Sequence, residues 1–419
     1  MINRAEYLDK LISKKHNGLI KIITGVRRCG KSYLLFKLFK NHLINEQVET
    51  DHIIEIAFDD RRNKKLRDPD VCLEYVTSKI HDEDRNMYYI LLDEVQFMEE
   101  FEDVLNSFLH MDNVDVYVTG SNSKFLSSDI ITEFRGRGDE VRVYPLSFSE
   151  FYSAKEYESW EDAWNQYYTY GGLPYITHLE KEEEKIEYLT RLFKETYLKD
   201  IIERNDVQND MQLEELVNII SSSVGSLTNP NKLANTFKST ENVDLTAPTI
   251  KQYLEHLEDA FLIEKAVRYD IKGKKYINTP YKYYFVDIGL RNVRLNFRQQ
   301  EETHIMENII YNELRIRGYA VDVGLVDIYE KNGDGKYAKK QVEVDFIVNK
   351  GSRRYYVQSA FRLPTDEKRQ QEERPLISIH DSFKKIIVVK DNIMLKRDDN
   401  GITTMGLKEF ILNKDSLDL

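Results

Sequence analysis

The stretch Gly25-Val26-Arg27-Arg28-Cys29-Gly30-Lys31-Ser32 satisfies G-x-x-x-x-G-K-[ST] without exception. It follows the apolar run Leu19-Ile20-Lys21-Ile22-Ile23-Thr24 and precedes Leu34, Leu35, Leu38 and Leu43 at helical spacing. A strand, a glycine loop and a helix in that order are the unit from which a parallel sheet covered by helices is built. The chemistry is as constrained as the fold. Glycines let the backbone curl round oxyanions, and amide N–H groups at a helix N-terminus face the negative charge. In such a loop Lys31 serves the β- and γ-phosphates and the Ser32 hydroxyl serves magnesium, while Gly25, Cys29, Gly30 and Tyr33 complete the nucleotide site, with Arg27 and Arg28 set either to contact phosphate or a regulatory partner or to lie solvated.

Short β-branched runs continue to alternate with amphipathic helical patterns as far as residue 144, with strands expected at 19–24, 53–58, 88–92, 114–119 and 140–143. The run Tyr88-Tyr89-Ile90-Leu91-Leu92 ends in Asp93-Glu94. Paired carboxylates at the exit of a buried strand are costly unless they are solvated or hold a cation. Beside a phosphate loop, Asp93 orders the magnesium shell and Glu94 is the general base for water. The next strand runs into Gly120-Ser121-Asn122-Ser123, where Asn122 is the candidate to face the γ-phosphate or the attacking water, although Gly-Ser-Asn-Ser is equally ordinary turn chemistry. Glu133-Phe134-Arg135-Gly136-Arg137-Gly138 offers Arg137, and less directly Arg135, as a charge for the leaving phosphate, from the same chain or from a neighbouring subunit. Cys29 reads either as a helix-terminal redox thiol or as a small side chain tolerated beside Gly30. No guanine-reading N-K-x-D loop occurs, which favours ATP over GTP.

With 419 residues, several domains are expected, and 41% hydrophobic with 32% charged residues is the composition of a folded chain. Nothing resembles a membrane span or a secretion signal, and the two cysteines, Cys29 and Cys72, permit neither a disulfide framework nor paired zinc ligands. These features fit a reducing cytoplasm and no membrane partner. A formal charge of −12 argues against a chain that coats nucleic acid and confines any DNA contact to one region. After the α/β domain at 1–150, residues 151–210 read as a helical connector. Residues 211–295 read as three helices and a hairpin, in winged-helix order, with Pro248 starting the third helix at 249–261. Residues 296–419 read as a second α/β unit, with strands at 342–348, 355–359 and 385–389.

The loop motif, Leu91-Leu92-Asp93-Glu94-Val95-Gln96, Thr119-Gly120-Ser121-Asn122-Ser123 and Tyr144-Pro145-Leu146-Ser147-Phe148-Ser149-Glu150-Phe151 together resemble a prokaryotic AAA+ type P-loop ATPase family with an uncharacterised, restriction-endonuclease-like C-terminal domain. The likeness continues through Tyr170-Gly171-Gly172-Leu173-Pro174, Lys199-Asp200-Ile201-Ile202-Glu203-Arg204, Tyr284-Phe285-Val286-Asp287-Ile288-Gly289-Leu290-Arg291-Asn292 and Glu343-Val344-Asp345-Phe346-Ile347. It implies ATP binding and hydrolysis, a winged helix in the middle and an endonuclease-like fold at the end. Such nucleases need an acid on the first helix, an Asp on a strand and E-x-K on the next, to generate and deprotonate metal-bound water. Glu307, Asp345 and Gln358-Ser359-Ala360 fall in those places, but Ala360 stands where the lysine belongs, so an inactive domain is expected.

One region is locally basic. Between 265 and 282, Lys265, Arg268, Lys272, Lys274, Lys275 and Lys282 face only Asp270, interleaved with Tyr269, Tyr276 and Tyr281, as a wing touching double-stranded DNA would be. Glu255, Glu258 and Asp259 on the preceding helix oppose that reading. The function expected is magnesium-dependent ATP hydrolysis driving a conformational switch. The competing readings are a nucleotide-gated module that binds DNA or an unknown protein with little turnover, and an ATP-coupled nuclease. An arginine acting in trans would require a homo-oligomer.

Overall fold

A computed structural model of the chain describes residues 2–81, 86–120, 136–241, 245–298, 301–331 and 337–419. The chain packs as two compact units: Met1–Pro145 with Leu173–Tyr175 and Asp259–Phe261, and Leu146–Gly172 with Ile176–Glu258 and Leu262–Leu419.

The first unit is the expected parallel sheet. Its strands are β1 (Ile20–Thr24), β2 (Ile53–Ala57), β3 (Tyr88–Asp93), β4 (Val114–Thr119) and β5 (Gly138–Arg142), in the order β2-β3-β4-β1-β5. Every pairing is parallel. β1 and β3 are buried along their whole length, which is why they read as continuous apolar runs and not as alternating ones. The helix after the phosphate loop opens at Lys31–Tyr33, widens to π geometry over Leu34–Phe39 and resumes over Lys40–Asn45. Widening changes its buried face: Leu34, Leu35, Phe39 and Leu43 enter the core, and Leu38, expected there, is only half-buried.

In the second unit the helix Phe148–Ala154 begins with a capping box, in which the Ser147 hydroxyl accepts from the Glu150 N–H and the Glu150 carboxylate accepts from the Ser147 N–H. The three helices expected before the hairpin are Asp210–Ser222, Pro230–Thr236 and Ala247–Asp259. The hairpin is β6 (Ile263–Asp270) and β7 (Lys275–Phe285). β8 (Ala320–Lys331), β9 (Tyr337–Lys350), β10 (Arg353–Ala360), β11 (Lys384–Val389), β12 (Lys396–Arg397) and β13 (Ile402–Gly406) complete an eight-stranded sheet, ordered β12-β13-β11-β10-β9-β8-β6-β7. β8, β9 and β10 form an antiparallel meander, and β10, β11 and β13 run parallel.

The hairpin is therefore not a free wing. β6 pairs in parallel with β8, setting Arg268 against Val323 and Asp270 against Leu325, so the hairpin forms one edge of the second sheet. Segments expected as a connector, a winged helix and a C-terminal domain share this one unit. Local pattern announces a hairpin but not what its first strand will pair with.

Candidate functional site

In a parallel sheet the loops that leave the C-terminal strand ends share one edge, and that edge is where ligands are bound. β4 lies between β1 and β3 in the first unit, with Ile23 opposite Thr119 and Leu92 opposite Val118. The phosphate loop, Thr119 and the Asp93-Glu94 pair thus emerge side by side.

The loop depends on two glycines. Gly25 has φ +134°, and a Cβ there would lie 2.0 Å from the Val143 carbonyl oxygen, so no side chain fits. Gly30 has φ +100° with nothing nearer than the Pro174 ring at 3.8 Å, so conformation alone demands glycine there. Arg28 is also left-handed, at φ 64°. Arg27 and Tyr33 are half-buried, and Arg28 and Ser32 are exposed. Cys29 is fully buried, with its thiol 3.4 Å from the Val143 carbonyl, which favours the packing reading over a redox thiol. The Lys31 ammonium folds back into its own loop and donates to the carbonyls of Gly25 (2.9 Å) and Val26 (3.2 Å).

The acids are wired to the loop and to β4. Asp93, 4% exposed, accepts hydrogen bonds from the Ser32 and Thr119 hydroxyls. Burial pushes its carboxyl above the usual range, opposed by those two bonds and reinforced by the charges of Glu94 and Asp59. The Thr119 oxygen also accepts from the Glu94 N–H at 3.0 Å and so ties the backbone of one acid to the side chain of the other. Glu94 is held left-handed at φ 53°, and its carboxylate accepts from the Gln96 amide. Ser32 and Asp93 form an all-oxygen pair suited to magnesium, which takes few protein ligands beside phosphate.

The exit of β4 offers a Thr or an Asn, of which the sequence favoured Asn122, and the structure sets Thr119 against Asp93 and Glu94. The signal of Thr119 was present, a hydroxyl ending an otherwise apolar strand, but its importance depends on β4 lying between β1 and β3. Asn122 and Arg135 lie outside the described residues. Arg137 lies away from the phosphate loop of its own chain. It precedes β5 and its carbonyl accepts from Ile20, at the start of β1. That is the far end of a five-residue strand, about 16 Å from the phosphate loop at ~3.3 Å per residue. Its guanidinium is exposed and approaches Asn106 at 3.5 Å.

In the second unit, Glu307 on the helix Glu302–Ile316, Asp345 on β9 and Gln358 on β10 are all buried and close together. Gln358 is already committed: its carbonyl accepts from the Asp345 N–H (3.3 Å) and its amide donates to Glu372 (3.1 Å). Two residues of this cluster were missed as members. Lys282, counted as part of the basic hairpin, is 4% exposed, with its ammonium 2.9 Å from Glu307, 2.6 Å from Glu343 and 3.9 Å from Asp345. Glu343 was available from the alternation of β9, since it shares a face with Asp345. Burial opposes the charge on Lys282, yet Glu307, Asp345 and Glu343 hold its pKa above the ordinary lysine value. The basic hairpin is thereby divided. Lys282 is internal, Lys265 pairs with Glu258 at 3.3 Å, and Lys272, Lys274 and Lys275 remain exposed near the turn.

The glycine motifs are packing devices. Asp287 accepts from the Gly172 N–H at 2.7 Å and caps the helix Ile288–Arg294 through the Leu290 N–H at 3.1 Å. A Cβ on Gly171 would lie 2.2 Å from the Asp287 carboxylate, and one on Gly289 would lie 2.1 Å from the Tyr170 carbonyl.

A parallel sheet carrying this loop and these carboxylates is the fold of a P-loop ATPase, and the family match to an AAA domain gives its type. A family model described as an AAA domain matches residues 17–152, and one for a domain of unknown function matches residues 161–301. The chain is 35% identical to an uncharacterized protein of Haemophilus influenzae over 93% of each chain. It is 30% identical to the uncharacterized protein MJ1544 of Methanocaldococcus jannaschii over 92% of this chain and 82% of that one. The chain belongs to the family that these two proteins represent. Among solved structures it is similar to the Walker-type ATPase PABY2304 of Pyrococcus abyssi, with a TM-score of 0.51, 14% identity, and coverage of 70% of this chain and 96% of that one. Among the described residues no helix is long and apolar enough to cross a membrane.

Proposed function

We propose that this chain binds ATP with magnesium and hydrolyses it, using the change of occupancy as a conformational switch. The observation that carries the reading is the continuous link from Ser32 to Asp93, Thr119 and Glu94 beside the phosphate loop. The loop amides cradle the phosphates, with Arg27, Arg28 and Tyr33 lining the nucleotide and the buried Cys29 side chain packing beneath the loop. Lys31 exchanges the carbonyls of Gly25 and Val26 for phosphate oxygens, which compensates the charge brought in by the ligand. Ser32 and Asp93 would hold magnesium, which when bound would neutralise the charge that develops on the β- and γ-phosphates. Glu94 accepts the proton of the attacking water beside Thr119, and Asn122 is the candidate to hold that water or face the γ-phosphate. Arg137, at the end of β5 away from its own loop, serves the phosphate of a neighbouring subunit in a homo-oligomer. Lys272, Lys274 and Lys275 are the exposed charges through which 265–282 would meet double-stranded DNA.

The test is phosphate release from ATP with magnesium, with and without double-stranded DNA. Lys31→Ala abolishes turnover, and Glu94→Gln keeps nucleotide while turnover falls about a hundredfold or more. Stimulation by DNA supports the contact at 265–282. Wild-type protein that binds ATP but releases no phosphate under either condition is instead a nucleotide-gated binding module.

A further inference from the structure

An endonuclease-like site would gather its acids round a divalent cation, and the donor set in the second unit does not fit that role. Glu307, Glu343 and Asp345 converge, but on an ammonium: Lys282 reaches in from β7 to 2.9, 2.6 and 3.9 Å. Tyr284, two residues along the same face of β7, donates to the same Glu307 oxygen at 2.7 Å. Asp345 spends its other oxygen on the Ser359 N–H (2.8 Å), at a place where the β8–β9 register is interrupted between Asp322 and Gly324. Gly225 packs against the Glu307 carboxylate, where a Cβ would lie 3.2 Å from Oε1. Among the described residues, the one group of three acid, histidine or cysteine ligands with atoms within 4.8 Å of one another is Glu49, Asp51 and His52, in the first unit. The buried acids are thus spread round the lysine instead of being drawn together to chelating distance.

We propose that Lys282 is a built-in cation, which takes the place of a metal among Glu307, Glu343 and Asp345 and closes the site to divalent ions. The lysine that the E-x-K position lacks is not restored by this arrangement, because the ammonium donates to the carboxylates and is not left free to activate water. The same contacts pin the hairpin to the helix Glu302–Ile316 and to β9. A basic residue of a hairpin that reads as a DNA-facing wing is in this way turned inward. The proposal stands apart from ATP hydrolysis, which neither its success nor its failure alters.

Mn(II) binding to the full chain without nucleotide tests it, read by the loss of free-ion electron paramagnetic resonance signal. The wild type should bind no Mn(II) that Asp345→Asn removes. Lys282→Ala should gain one equivalent, lost again when Asp345→Asn is added, and its melting temperature should rise with Mn(II) while that of the wild type does not. Wild-type protein holding Mn(II) that Asp345→Asn abolishes would overturn the proposal, as would folded Lys282→Ala that binds no more Mn(II) than wild type. If Lys282→Ala does not fold alone, refolding in Mn(II) decides: recovery supports a cation site, as expected where metal binding and folding are coupled, and no recovery rejects it.

Discussion

Thr119→Val removes a single oxygen from a fully buried position and preserves its shape. That oxygen donates to Asp93 and accepts from the Glu94 N–H at 3.0 Å. A hydrogen bond to a charged group contributes about 1.5–3 kcal/mol, and losing the acceptor of the half-buried Glu94 N–H costs up to about 1 kcal/mol more. Glu94 is also held left-handed, which disfavours a non-glycine residue by about 1–2 kcal/mol, so without its tether the backbone will relax. If on the order of 1.5–3 kcal/mol of restraint is lost from the transition state, turnover falls about ten- to a hundredfold. Nucleotide affinity should change far less, because Lys31 and the loop amides are untouched. Thr119→Ser keeps the oxygen and should behave as wild type. The assay is steady-state phosphate release with nucleotide binding measured separately. Thr119→Val that turns over like wild type would refute the tether, and equal losses in Thr119→Val and Thr119→Ser would show that packing, not the oxygen, is responsible.

Asp93→Asn should raise the melting temperature of nucleotide-free protein at pH 7 while abolishing magnesium-dependent turnover. Burial raises the carboxyl pKa in the fold, so the favourable contribution of Asp93 is complete below the unfolded value of about 4 and is lost as pH rises through the folded value. The advantage of Asn should therefore narrow as pH falls toward 4, and thermal melts across pH check the sign. Asp287→Ala should destabilise the second unit by about 2–4 kcal/mol, the sum of about 1 for a lost helix cap and about 1–3 for the orphaned Gly172 N–H, read as a shift in the urea midpoint. A loss below about 1 kcal/mol would mean that water replaces the carboxylate.

The phosphate loop and the acids of the candidate site were legible because they are local. Eight consecutive residues fix the loop, and an apolar run ending in two acids fixes Asp93 and Glu94 whatever lies around them. β1 and β3 were legible for the same reason, since full burial leaves a run of β-branched and aliphatic residues that turn chemistry bounds. Inter-strand order is not encoded in that pattern. Only the fold set β4 between β1 and β3, which made Thr119 the tether and carried Arg137 to the opposite end of the sheet. β8, β12 and β13 went unread: β12 has two residues, and β8 carries its alternation through Asp322 and Asp327 rather than in an apolar run. Lys282 shows the limit most plainly. In sequence it is one basic residue among six, and its role is decided by Glu307, Glu343 and Asp345, 25 or more residues away, because the field at a buried ammonium is set by neighbours that only tertiary packing brings together.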